Sequence, residues 1–218
     1  MGLTLLASLP SALILFKIPK LKYFKIALFN ISMAFFFFSY HVHEKTILLP
    51  LMMFILNPRY FKNFYVDFIL VATFTNYHML VEDKLKLQYF VITLLFAYFA
   101  YPLMDRLKEG WNKPAKAELE INPKYSIILR TIENIYTRLV SKVVLISMII
   151  LTVLNGMITP PEKYPFVFHL LFALLGFGEF LIVFAYSNLK MFISYNKSKF
   201  KENESISFGT KEAMGKNE

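Results

Sequence analysis

The chain has 218 residues, of which 56% are hydrophobic, 17% aromatic and only 18% charged, with a net charge of +9. A soluble fold cannot hide that much apolar surface, and alternating ten-residue strands are not evident, so the composition points away from a soluble domain or a β-barrel. The expected fold class is all-α, a polytopic membrane helix bundle; with no cysteine, disulfides contribute nothing.

Seven apolar segments follow in order. Segment 3–16 opens with MGLTLLASLP, which carries neither a basic n-region nor the Ser or Thr at position six that myristoylation uses. Segment 26–40 follows a lysine-rich connection. Segment 46–56 is the shortest, and Pro50 predicts a kink in it. Segments 64–81, 85–104, 139–157 and 166–186 are long enough, or nearly so, for a crossing of ~20 residues. In the connection 105–137, Trp111 is followed by prolines at 114 and 123. Beyond these, Ile128, Ile132, Ile135 and Tyr136 recur at helical spacing, which predicts an amphipathic helix on the cytoplasmic leaflet. Residues 1–195 are thus expected to form the bundle, with 105–137 as a cytoplasmic interfacial loop. Residues 196–218, basic and polar, read as a disordered cytoplasmic tail.

Charge placement orients these segments, because Lys and Arg concentrate in cytoplasmic connections. If all seven cross, Lys45, Lys84, Lys86 and Lys163 lie on one side and the other twenty of the 24 basic residues on the opposite, cytoplasmic side. Omitting segment 46–56 gives at best 17 against seven. The seven-crossing arrangement places HVHEK (41–45) and the turns at 81–86 and 159–165 on the non-cytoplasmic side, together with Met1. An outside N-terminus without a leader leads to the expectation that the chain is the later part of a longer protein. The sequons at Asn30, Asn196 and Asn203 fall within a segment or on the cytoplasmic side, so none is expected to carry a glycan.

In FFFFSYHVHEKTILLP (35–50), two histidines, an acid and a lysine sit between apolar runs. A plain polar turn would use Asn, Gly, Ser or Pro, whereas ionisable groups at membrane depth cost free energy and point to function. A metal site on His41, His43 and Glu44 lacks further His or Cys partners, and i,i+2 residues diverge on a helix. If segment 46–56 is helical, its free N–H groups and positive dipole end open beside Lys45. With a histidine as hydrogen-bond donor, the group forms a cradle for a lipid-linked phosphate. Within the apolar segments, Glu179 and His169 read as buried hydrogen-bonding groups, and Asp67 as able to reach water.

This stretch resembles the Val-His-Glu-Lys signature of the eukaryotic dolichyl-phosphate-glucose-dependent α-1,3-glucosyltransferases of asparagine-linked glycosylation, which have the GT-C fold. DFILVATFTNYHMLVEDKLKLQYFV looks like the next helical pair of that family. TVLNGMITPPEKYPFVFHLLFALLGFGEFLIVFAYSNL is similar to the closing hairpin of its first-glucose member. The resemblance implies the carboxy-terminal half of an enzyme that moves glucose from dolichyl-phosphate-glucose to a diphosphodolichol-linked high-mannose oligosaccharide, with inversion. It further implies a multi-pass protein of the endoplasmic reticulum membrane with a lumenal active site, membrane lipid as partner and no nucleic acid. His41, His43, Glu44 and Lys45 become donor-binding residues by motif position: Lys45 and His43 on the phosphate, Glu44 on sugar hydroxyls or on Lys45. The general base is expected in the missing amino-terminal half, so this chain alone is expected to be inactive. No cofactor is implied, and no metal ligand is assigned. Glu82 and Asp83 read as a solvated turn on the same side. The alternatives are a non-catalytic truncated paralogue or small polytopic membrane protein, and a metal or proton transporter built on His41, His43 and Glu44.

Overall fold

A computed structural model describes residues 2–39, 44–111, 123–158, 161, 163–164 and 166–214; for Glu44, His78, 123–126 and 200–214 it describes the backbone alone. Each of the seven apolar segments is helical over most of its described residues. Helices α1 (Gly2–Lys17) and α2 (Leu21–Phe38) pair first; a 3-10 turn, Glu44–Ile47, then leads into α3 (Leu48–Ile55). Next come α4 (Tyr65–Thr75), α5 (Tyr77–Glu82), α6 (Lys86–Trp111) and α7 (Pro123–Ile135). A π-turn, Tyr136–Val140, joins α7 to α8 (Ser141–Met157), and α9 (Val167–Met214) closes the fold. Among the described residues no strand occurs, as the apolar periodicity requires.

Four helical runs are long and apolar enough to cross a bilayer: Leu21–Phe38, Lys86–Trp111, Ile127–Met157 and Val167–Lys199. Gly2–Lys17, Lys45–Ile55 and Tyr65–Thr75 are shorter. Pro50 accounts for the winding of the third segment. It has no N–H to donate, and the chain runs as a 3-10 turn up to Ile47 before continuing as α-helix through Ile55.

The helix at 123–135 does not stop at its last residue. It continues through the π-turn, so that Ile127–Met157 forms one run of 31 residues, about 46 Å long. The final helix continues to Met214, through a stretch whose composition reads as a disordered tail; 196–214 contains no proline to stop it, and Gly209 lies within the helix.

The contacts that hold the helices define two ends of the bundle. At one, Thr4 Oγ1 donates to the Phe38 carbonyl (2.9 Å), tying the start of α1 to the finish of α2. Midway, buried Asn30 donates to Ser11 Oγ (2.9 Å), and Ser11 donates to Asn188 Oδ1 of α9 (3.1 Å). At the other end, the Tyr23 hydroxyl lies 3.0 Å from both Ser194 and Ser198. Here too the Tyr60 hydroxyl donates to the Ser187 carbonyl (3.0 Å), and burial pushes its pKa above the usual phenol range. Lys190 Nζ donates to the Tyr60 carbonyl (2.9 Å), and Arg59 donates to that of Trp111 (3.3 Å). Following the chain between these anchors places the start of the 3-10 turn, the 81–86 turn and the start of α9 at the first end. The basic hairpin 17–25, the 57–64 turn and the finish of α6 lie at the second. Between them sits an aromatic core. Phe54 stacks on Phe61 and Phe68, with centroids 4.3 and 4.1 Å apart, and Phe29 packs edge-on to Phe61 at 4.7 Å.

Candidate functional site

Helix α2 ends at Ser39, whose backbone turns extended while its N–H donates to the Phe35 carbonyl (3.0 Å). His41 and His43 lie outside the described residues. Glu44 opens the 3-10 turn, and Lys45 follows as an exposed side chain at the first end of the bundle. Two residues on, Ile47 is 1% exposed and locked into the aromatic core with Phe29 and Phe54. That anchor fixes where the turn leaves the apolar body. Lys45 therefore stands at the opening of a helical run, where N–H groups lack intrahelical acceptors and negative charge is favoured. A cation beside free donors suits the oxygens of a phosphate.

The turn at 81–86 shares this end. Its backbone reverses through Lys84 at φ 60°, with the Leu85 N–H donating to the Leu80 carbonyl (2.8 Å), and Glu82 and Asp83 are exposed. Among the described residues no three His, Asp or Glu side chains converge to hold a metal.

A second polar centre lies inside the bundle. Glu179, 1% exposed on α9, accepts a hydrogen bond from the Tyr136 hydroxyl, while its Oε2 has no hydrogen-bond partner. Asp67 does not reach water, as its position suggested; it is buried and accepts from Tyr101 (2.6 Å) and Ser141 (2.7 Å). The π-turn explains how one helix serves both acids. Residues five apart on an α-helix diverge by about 140°, and the wider turn brings Tyr136 and Ser141 nearer one face. Tyr136 then addresses α9 and Ser141 addresses α4. Beyond it, Glu133 accepts from Tyr186 and from Asn63 Nδ2 (2.7 Å). The hydroxyl partners of the two acids gave no sequence signal, because a π-turn leaves none that apolar spacing reveals.

The model of the ALG6, ALG8 glycosyltransferase family matches residues 1–186. The chain is 31% identical over 185 residues to an Arabidopsis thaliana protein named probable dolichyl pyrophosphate Man9GlcNAc2 alpha-1,3-glucosyltransferase, covering 85% of this chain and 32% of that protein. It is 30% identical to the Drosophila melanogaster protein of the same name, covering 88% of this chain and 36% of the relative. With the Mus musculus dolichyl pyrophosphate Man9GlcNAc2 alpha-1,3-glucosyltransferase the identity is 27%, over 85% and 37%. The chain thus spans about a third of the length of these relatives.

Proposed function

Because this chain belongs to the ALG6, ALG8 glycosyltransferase family, we propose that it supplies the donor-phosphate side of a glucosyltransferase that extends a lipid-linked oligosaccharide. The observation that carries this reading is the family match across 1–186, which includes the one basic residue held exposed where the 3-10 turn opens, Lys45. Dolichyl-phosphate-glucose is the proposed donor. Its leaving group is a phosphate, so departure requires stabilisation of negative charge more than protonation. Lys45 and the adjacent N–H groups provide that field. By motif position, His43 is proposed to donate a hydrogen bond to a phosphate oxygen, Glu44 to orient sugar hydroxyls or Lys45, and His41 to join them in binding the donor. Inversion in one displacement requires a carboxylate to take the proton of the attacking hydroxyl, and that group is proposed to lie outside this chain. The relatives' names support a Man9GlcNAc2 acceptor joined through an α-1,3 bond. The lumenal face of the endoplasmic reticulum membrane is the proposed location of the reaction.

Donor binding tests this directly. The purified chain in nanodiscs should retain radiolabelled dolichyl-phosphate-glucose, and Lys45→Ala should release it. Equal retention by the two proteins would overturn the assignment. Incubation with the diphosphodolichol-linked acceptor then separates the readings: binding without transfer marks a donor-holding part, and transfer marks a complete enzyme.

A further inference from the structure

The end of the bundle opposite Lys45 carries a second basic surface. FKIPKLKYFK (16–25) interleaves four lysines with aromatic and aliphatic residues, and no Asp or Glu precedes Glu44 in the chain. Lys17, Lys20 and Lys25 are exposed, and so are Phe16 (88%), Leu21 (70%) and Phe24 (45%). The hairpin is rigidly seated. Tyr23 is fully buried with its hydroxyl between Ser194 and Ser198, and it packs with Ile14, Ile26, Ala27 and Met191. The same contact draws α9 alongside, so that Lys17 Nζ lies 5.8 Å from the Tyr195 ring centroid and exposed Lys199 reaches this end. Among the described residues, Lys17, Lys20 and Lys25 form no ion pair. The described carboxylates of this end lie on other elements: on α6, Asp105 pairs with Lys108 (3.2 Å) and Glu109 is exposed, and Glu133 of α7 accepts from Asn63 and Tyr186. The lysines follow directly on the exposed apolar residues Leu9, Leu13 and Phe16 of α1, which sets them at headgroup depth.

We propose that this hairpin, together with the adjoining turn of α9, holds the headgroup of an anionic glycerophospholipid from the leaflet it faces. Phe16, Leu21 and Phe24 sit among its acyl chains. Charge complementarity selects this occupant, because zwitterionic lipids give the lysines no net counter-charge. The inference is independent of the donor site, which lies at the other end.

The full chain, purified from membranes and washed in a neutral detergent, should carry phosphatidylinositol or phosphatidylserine measurable by mass spectrometry. Each neutralised lysine should lower retention about five-fold. K17Q/K20Q/K25Q should therefore lose almost all anionic lipid, whereas K84Q/K86Q/K163Q, at the opposite end, should keep it. Undiminished retention in the first variant, equal loss in both, or preference for dolichyl phosphate over phosphatidylinositol would overturn the proposal. Should the hairpin variant fail to fold, the unmodified chain decides. Its anionic lipid must be displaced on raising salt from about 0.15 to about 1 M, where screening shortens to about 3 Å, and retention through that step contradicts the site.

Discussion

Tyr136→Phe isolates one atom of the buried network. The ring stays, with its centroid 4.3 Å from that of Phe64, so no cavity opens. The lost hydroxyl is the one that donates to Glu179, whose other carboxylate oxygen already lacks a hydrogen-bond partner. An orphaned buried polar group costs about 1–3 kcal/mol, and hydrogen bonds between membrane helices average about 0.6 and reach about 1.7 kcal/mol. Complete burial of both residues places this bond near the top of the membrane range, about 1.5 kcal/mol. For a chain of this length, that lowers Tm by about 3–6 °C. Thermal unfolding in a fixed detergent would measure it, together with Glu179→Leu and the double variant. In the Glu179→Leu background, Tyr136→Phe should cost close to nothing, because no acceptor is left to orphan. An equal cost in both backgrounds would refute the reasoning, since the hydroxyl would then act through some other partner.

Other perturbations follow from the same geometry. A Cβ on Gly176 would overlap Thr75 Cγ2, so Gly176→Ala should destabilise by about 1–3 kcal/mol. Adding Thr75→Ser, which removes that methyl and keeps a hydroxyl for the Ala72 carbonyl, should recover most of the loss in the same melt. Lys45→Gln should weaken donor binding by about 10- to 100-fold, as loss of a charge-assisted contact predicts, and Lys45→Arg should weaken it less; equilibrium binding in nanodiscs distinguishes them. Asn30 is wholly buried and donates to Ser11, so its sequon should stay unmodified, with no gel shift on glycosidase treatment. Asn30→Ala should lower Tm by a few degrees.

The helical segments were legible because apolar runs bounded by Pro, Lys and polar turns leave few other solutions, and the contacts of Tyr23, Tyr60 and Arg59 bring the basic connections 17–25 and 57–64 to one end. Pro50 marked an irregularity in the right place, although the chain answers with a 3-10 turn. The junction at 136–140 was illegible. Ile128, Ile132, Ile135 and Tyr136 fit one apolar stripe, but Tyr136 is buried against Glu179 while Ile128 and Ile135 are exposed. Spacing alone does not report a widened turn or which acid a hydroxyl meets. Asp67 misled for a related reason: closeness to a segment end suggests water, but Tyr101 and Ser141 from two other helices close over it. At the candidate site the sequence singles out Lys45 because a cation between apolar runs has few structural uses, and the structure adds only that it is exposed in the 3-10 turn.

The claim on which the functional account turns is that the opening at Lys45 receives a polyprenyl phosphate from the lumenal side. The chain has no cysteine, so Thr46→Cys introduces a single thiol beside Lys45 without background. In sealed microsomes, a membrane-impermeant maleimide should reach it only when admitted to the lumen, and dolichyl phosphate should slow labelling several-fold in the Lys45 protein and not in Lys45→Gln. Labelling from the cytosolic face, or a rate indifferent to dolichyl phosphate, would contradict the account.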